Sequence, residues 1–151
     1  MGNGFELECL SCKYTMTILE GVGFMYYKTN VFYGRESVLN NKKCFEKPLI
    51  DDLIEDKEIL KMTKELLSKG AEADDYAYGH VLQVCSKCNR VANNFYFKLK
   101  VEANAFYEPN YKCDFCGAPM KTKHDCEYSD NLNCPKCGGE MKHTDFRIYW
   151  D

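Results

Sequence analysis

The sequence predicts a small α+β protein, mainly antiparallel β, and three observations predict it. Ten cysteines stand among 151 residues, and eight of them form four C-x2-C pairs: Cys9/Cys12, Cys85/Cys88, Cys113/Cys116 and Cys134/Cys137. Much of the remaining chain is rich in β-branched and aromatic residues broken by glycines. A single stretch, 48–70, carries a helical period. With 45% apolar and 28% charged residues the chain reads as globular rather than disordered.

Residues 5–12, "FELECLSC", read as a strand entering the first cysteine turn, and "YTMTILEGVGFMYYKTNVFY" as a strand or hairpin bent at Gly21 and Gly23. No helix signal follows that Gly-x-Gly, so it is a turn and not a nucleotide loop. From Pro48 the pattern is helical. Asp52 and Glu55 have capping-box spacing, and Gly70 is a stop signal. Leu53, Ile59, Leu60, Met62, Leu66 and Leu67 project onto one arc, which predicts an amphipathic helix with its apolar side in a core.

Strand character resumes at "HVLQVC" and leads into Cys85. In "FYFKLKVE", Phe95, Phe97, Leu99 and Val101 alternate with Tyr96, Lys98, Lys100 and Glu102, the pattern of a half-buried strand. "EANAFYEPNY" reads as a connection, and in the closing "DFRIYW" Phe146, Ile148 and Trp150 share a face. The expected organisation is an N-terminal module, 1–104, with a helical insertion over about 35–70, and a C-terminal module, 105–151.

The cysteine spacing carries the chemistry. A disulfide scaffold has no reason to place cysteines two apart four times. Two thiolates at that spacing grip one ion from a single turn, and two such turns complete a tetrahedral site. The acidic start "MGNGFELECL" does not resemble an export signal, and no apolar run reaches the roughly 20 residues that span a bilayer. A cytoplasmic protein with no membrane association is expected, and in that reducing compartment thiols hold metal rather than disulfides.

Four turns can pair sequentially, nested or crossed. The 17 residues between the third and fourth turns are a normal zinc-ribbon interval, which favours pairing those two and leaves the first and second to share an ion across 72 residues. In that arrangement the copies "CDFCGAPMK" and "CPKCGGEMK" are two halves of one quasi-symmetric site. Gly117 and Gly138 relieve crowding where the chain bends, and Met120 and Met141 start the outgoing strands. Two zinc ions held by Cys9, Cys12, Cys85, Cys88, Cys113, Cys116, Cys134 and Cys137 are expected, with iron as the alternative because four-thiolate sites of both metals share a geometry. Structural zinc contributes on the order of 10 kcal/mol, enough to fold a module with little core.

Cys44 and Cys126 remain outside the pairs; Cys44 reads as a buried thiol, and Cys126, near His124, is a minor alternative for a ligand. His80 and His143 are weaker candidates still. No set of three ligands with a poised Glu suggests a catalytic metal, and no nucleophile, base and orienter group together, so an enzyme is not expected.

The first turn, the segment "GVGFMYY", the inserted helix, the second turn and the late "CPKCGGEMK" together resemble a group of uncharacterised bacterial zinc-ribbon proteins. That resemblance implies tandem metal ribbons and no established activity. Locally, "C-x2-C-G" at Cys113 and "C-P-x-C-G" at Cys134 resemble the iron-binding pattern of rubredoxins, implying electron transfer, although Ala118 stands where those proteins usually carry an aromatic.

The net charge is −3. Each divalent ion in four thiolates changes the charge by a further −2, so the loaded protein carries about −7. That disfavours nucleic acid, whose affinity comes from Lys and Arg on phosphate. Lys98, Lys100, Lys112, Lys121, Lys123, Lys136 and Lys142 gather in the second half, but only Arg35, Arg90 and Arg147 accompany them. The expected function is a non-enzymatic zinc-binding protein that docks a protein partner, ahead of a nucleic-acid-binding ribbon or an iron electron carrier.

Overall fold

The computed structural model describes residues 2–23, 26–39, 42–123 and 131–150, with side chains of 37–39 and 42–44 left aside. The Cys44 side chain, His124 and Cys126 therefore lie outside the described residues. The protein is a small α+β structure with antiparallel sheets and few helices. It forms two compact units, each discontinuous in sequence: Met1–Gly23, Gly79–Phe95 and Asn110–Asp151 make one, Phe24–Tyr78 and Tyr96–Pro109 the other. These stand in place of the single boundary expected near 104/105.

In the first unit, strand β1 (Gly2–Cys9) runs into the first cysteine turn and returns as β2 (Thr15–Glu20), pairing antiparallel from Asn3↔Glu20 to Glu8↔Thr15. In the second unit, a short π-helical turn, Thr29–Tyr33, precedes the hairpin β3 (Arg35–Leu39) and β4 (Lys42–Glu46). Helix α1 (Ile50–Leu53) and helix α2 (Lys57–Ser68) follow. The expected single helix is thus split, and its cap is Asp56, whose carboxylate accepts from the N–H groups of Glu58 and Ile59, not Asp52. Ile54 takes an extended conformation and is buried, which breaks the helix there. Ile59 is buried on α2, as is Thr63, whose hydroxyl donates to the Ile59 carbonyl, while Met62 of the expected apolar arc is exposed.

Strand β5 (Glu72–Cys85) begins in the second unit and ends in the first, and β6 (Val91–Glu102) runs the other way. The alternation in β6 holds at Phe95, Phe97 and Leu99, which are buried, and fails at Val101, which is exposed. There the ladder to β7 (Ala105–Tyr107) is irregular. β7 is a strand in the segment expected to be only a connection. Phe32 meets Tyr78 and Phe97 edge-on and anchors the second unit's core.

The first unit is completed by β8 (Met120–Thr122), antiparallel to β5, and β9 (Met141–Trp150), antiparallel to β1. Its core joins Phe5, Leu7, Ile18, Leu82, Val84, Val91, Leu132 and Met141 with the inner cysteines Cys9 and Cys134. Phe146 is exposed, and β9 is irregular against β1 between the partners of Phe5 and Leu7. Asn93 stitches the layers: its amide accepts from Leu19 N–H at 3.0 Å and donates to the carbonyls of Leu19 at 2.8 Å and Val81 at 3.0 Å.

Candidate metal centres

The eight paired cysteines gather into two clusters of four, one of Cys9, Cys12, Cys134 and Cys137 and one of Cys85, Cys88, Cys113 and Cys116. In each, the four sulfurs lie within 4.8 Å of one another. The pairing is nested, first turn with fourth and second with third, which corrects the sequential pairing expected from loop length. The two C-x2-C-G-x-x-M-K copies belong to different clusters, so they are not halves of one site. The rubredoxin-like pair of turns is likewise divided between the clusters.

Strand pairing is the cause. Cys9 stands opposite Met141 in the β1–β9 ladder, and Cys85 stands opposite Met120 in the β5–β8 ladder. Each Met-Lys strand start is therefore docked against the strand that delivers a distant turn. Matching backbone bonds recur: Leu10 N–H donates to the Glu140 carbonyl at 3.0 Å and Ser86 N–H to that of Pro119 at 3.2 Å. Met141 N–H reaches the Leu132 carbonyl at 2.8 Å and Met120 N–H that of Tyr111 at 2.9 Å. The clusters are two copies of one local construction.

All four turns share a frame. The first cysteine's N–H donates to the carbonyl five residues on (Tyr14, Arg90, Ala118, Gly139), and its own carbonyl accepts from the N–H four residues on. That fourth residue has positive φ every time: Lys13 at 62°, Asn89 at 55°, Gly117 at 69° and Gly138 at 78°. What the four positions share is the left-handed backbone, not the relief of crowding expected at Gly117, where an added Cβ would meet nothing within 4 Å; Lys13 and Asn89 hold the same conformation with side chains. Lys13 and Asn89 are the only non-glycine residues with positive φ among those described.

A second equivalence is invisible in a direct comparison of the turns. The Lys136 ammonium lies 4.2 Å from the centre of the Tyr14 ring, and the Arg90 guanidinium lies 3.5 Å from that of Phe115. Tyr14 and Arg90 both follow a first cysteine by five residues; Lys136 and Phe115 both follow one by two. The two cation–π pairs occupy the same places with cation and ring exchanged. Arg90 also donates to the Pro135 carbonyl at 3.3 Å, and the Asn133 amide donates to that of Cys88 at 2.9 Å. These residues, which link the two clusters, were not singled out in sequence; the repeated spacing from the cysteines is the signal that finds them.

The donor chemistry fits a tetrahedral metal. Sulfurs across the first cluster lie 3.4 Å (Cys9–Cys137) and 3.8 Å (Cys12–Cys134) apart. Across the second they lie 3.4 Å (Cys85–Cys116), 3.6 Å (Cys88–Cys113) and 3.7 Å (Cys88–Cys116) apart. Metal–sulfur bonds of about 2.3 Å give a tetrahedral edge of about 3.8 Å, whereas a disulfide needs about 2.05 Å. Backbone N–H groups point at the sulfurs: those of Lys87 and Cys88 at Cys85, that of Cys12 at Cys9, and that of Gly139 at Cys137. The N–H of Cys12 leads in bringing the Cys9 thiol from its ordinary 9.0 to about 6, against burial. At Cys85 burial acts upward, and the N–H groups of Cys88 and Lys87 with the neighbouring thiols overcome it, again to about 6. At Cys12 and Cys88 the backbone N–H groups of Tyr14 and Arg90 act downward, but neighbouring thiols and burial overcome them and push the pKa up to about 12, so each cluster holds one thiol that ionises easily beside one that does not.

His80 and His143 are not in either cluster. His80 packs edge-on against Phe95 and Trp150, and the His143 ring lies tilted by 36° over that of Phe5, centroids 4.6 Å apart. Burial lowers the pKa of both.

No protein-family model matches the chain, and no curated protein or solved structure shows significant similarity to it.

Proposed function

We propose that each cluster is a zinc ribbon, that the chain holds two structural zinc ions, and that the protein is a non-enzymatic module that docks a protein partner in the cytoplasm. The observation that carries this reading is the pair of complete four-sulfur clusters built on one repeated frame. All four coordination positions of each are supplied by protein, which suits a structural ion and leaves no place for a reacting water. Zinc would hold the two hairpins of each cluster together, and the residues that position it are the turn residues Lys13, Asn89, Gly117 and Gly138 and the flanking cation–π pairs.

Exposed aromatic side chains support a protein partner. Tyr76 is 95% exposed, Tyr149 82% and Phe45 70%, and large aromatics of this kind are the usual anchors of protein interfaces. The division of the rubredoxin-like turns between clusters removes the sequence ground for an iron carrier built from Cys113–Cys137. Elemental analysis and a visible spectrum of freshly purified protein test the reading. Two zinc ions and no colour are expected; iron with thiolate charge-transfer bands, or a chain without metal under reducing conditions, overturns it. A salt-dependent shift of single-stranded nucleic acid would replace the protein partner.

A further inference from the structure

We infer that the two clusters differ in reactivity and that the first, Cys9/Cys12/Cys134/Cys137, is a peroxide-sensitive site whose oxidation releases its zinc while the second keeps its own. This rests on the zinc-binding reading above. Both outer cysteines of the first cluster, Cys12 and Cys137, are exposed, whereas the corresponding Cys88 and Cys116 of the second are only partly so. Oxidation follows thiolate character and access together, so equal ligand sets react unequally when access differs.

Backbone bonding does not separate the clusters: Cys85 receives N–H bonds from Lys87 and Cys88, and the first cluster receives as many, from Cys12 to Cys9 and from Gly139 to Cys137. Access to the outer sulfurs is the difference that remains.

The step balances with a peroxide as oxidant. The exposed Cys137 thiolate attacks one peroxide oxygen, the O–O bond breaks, and hydroxide leaves, giving a sulfenic acid. The Cys9 sulfur, 3.4 Å away, then attacks the Cys137 sulfur and expels a second hydroxide as the disulfide forms. Two thiolates are oxidised by two electrons, one peroxide is reduced, and two protons complete two waters. The zinc ion, left with two of four thiolates, dissociates. A small dithiol reverses the oxidation and allows zinc to return.

The test uses the full chain with Cys44→Ser and Cys126→Ser, loaded with two zinc ions, beside the wild type to show that these substitutions are silent. Hydrogen peroxide is added, zinc release is followed with a chromophoric chelator, and thiols are alkylated and mapped by mass spectrometry. The expected result is loss of one of the two zinc ions while the other is retained, with a Cys9–Cys137 disulfide and recovery on adding dithiol. Release of both ions together, or first oxidation at Cys85, Cys88, Cys113 or Cys116, overturns the proposal while leaving the zinc reading intact. A chain that cannot be loaded with zinc overturns both.

Discussion

At the scale of single residues, the left-handed position after each C-x2-C isolates backbone conformation from packing. A Cβ at Gly117 would meet no atom within 4 Å, yet φ is 69°, so Gly117→Ala is expected to cost about 1 kcal/mol from conformation alone. At Gly138 the added Cβ would also sit 3.0 Å from the Arg90 guanidinium, so the same substitution should cost more. Lys13→Gly runs the opposite way: relief of about 1–2 kcal/mol of left-handed strain exceeds the 0.5–1 kcal/mol or so of added chain entropy, a small net gain. Denaturant unfolding of the metal-loaded variants checks all three. Asn93→Ala removes three hydrogen bonds and leaves the Leu19 N–H and carbonyl without their side-chain partner; a loss of about 2 kcal/mol is expected by the same measurement.

At the scale of elements, the cysteines, the strand read over 95–102 and the Met-Lys strand starts were legible in sequence, because each is signalled within a few neighbouring residues. The pairing of turns was not. Any two C-x2-C turns can complete a tetrahedron, and the choice is made by the registers Cys9↔Met141 and Cys85↔Met120, contacts between residues far apart in the chain. Loop length pointed to the wrong partners because it measures only the entropy of closure, which strand pairing and core burial outweigh. The helix start was misread for a related reason. The Asp52–Glu55 spacing is a local signal, whereas the burial of Ile54 is a tertiary one, and it moves the start of the long helix to Asp56. Paired substitutions test the nesting: Cys12→Ser with Cys137→Ser should remove one zinc per chain, and Cys116→Ser with Cys137→Ser should remove both, read by native mass spectrometry. Sequential pairing predicts the reverse.

For the whole molecule, three kinds of group make stability fall on acidification. Protons compete with metal for the thiolates. His80, whose pKa burial lowers from 6.5, stays neutral in the fold, so stability present above 6.5 is lost as the unfolded chain takes up a proton below it. Glu108, whose pKa is lowered from 4.5 chiefly by its hydrogen bond from Lys98, contributes stability above 4.5 that disappears further down. The thermal midpoint should therefore be flat near pH 7–8 and decline below about 6.5, more steeply once zinc is displaced. A strong chelator at neutral pH should reproduce the low-pH state in circular dichroism without any change of pH.

The nesting also sets an order in time. A ribosome delivers Cys85, Cys88, Cys113 and Cys116 before it delivers Cys134, so a nascent chain acquires a complete second cluster while Cys9 and Cys12 still wait for their partners. A chain cut short between 123 and 133 would then hold one ion at most, with Cys9 and Cys12 left without the turn that completes their cluster. Those two cysteines would distinguish it from the finished chain to any thiol-reactive label.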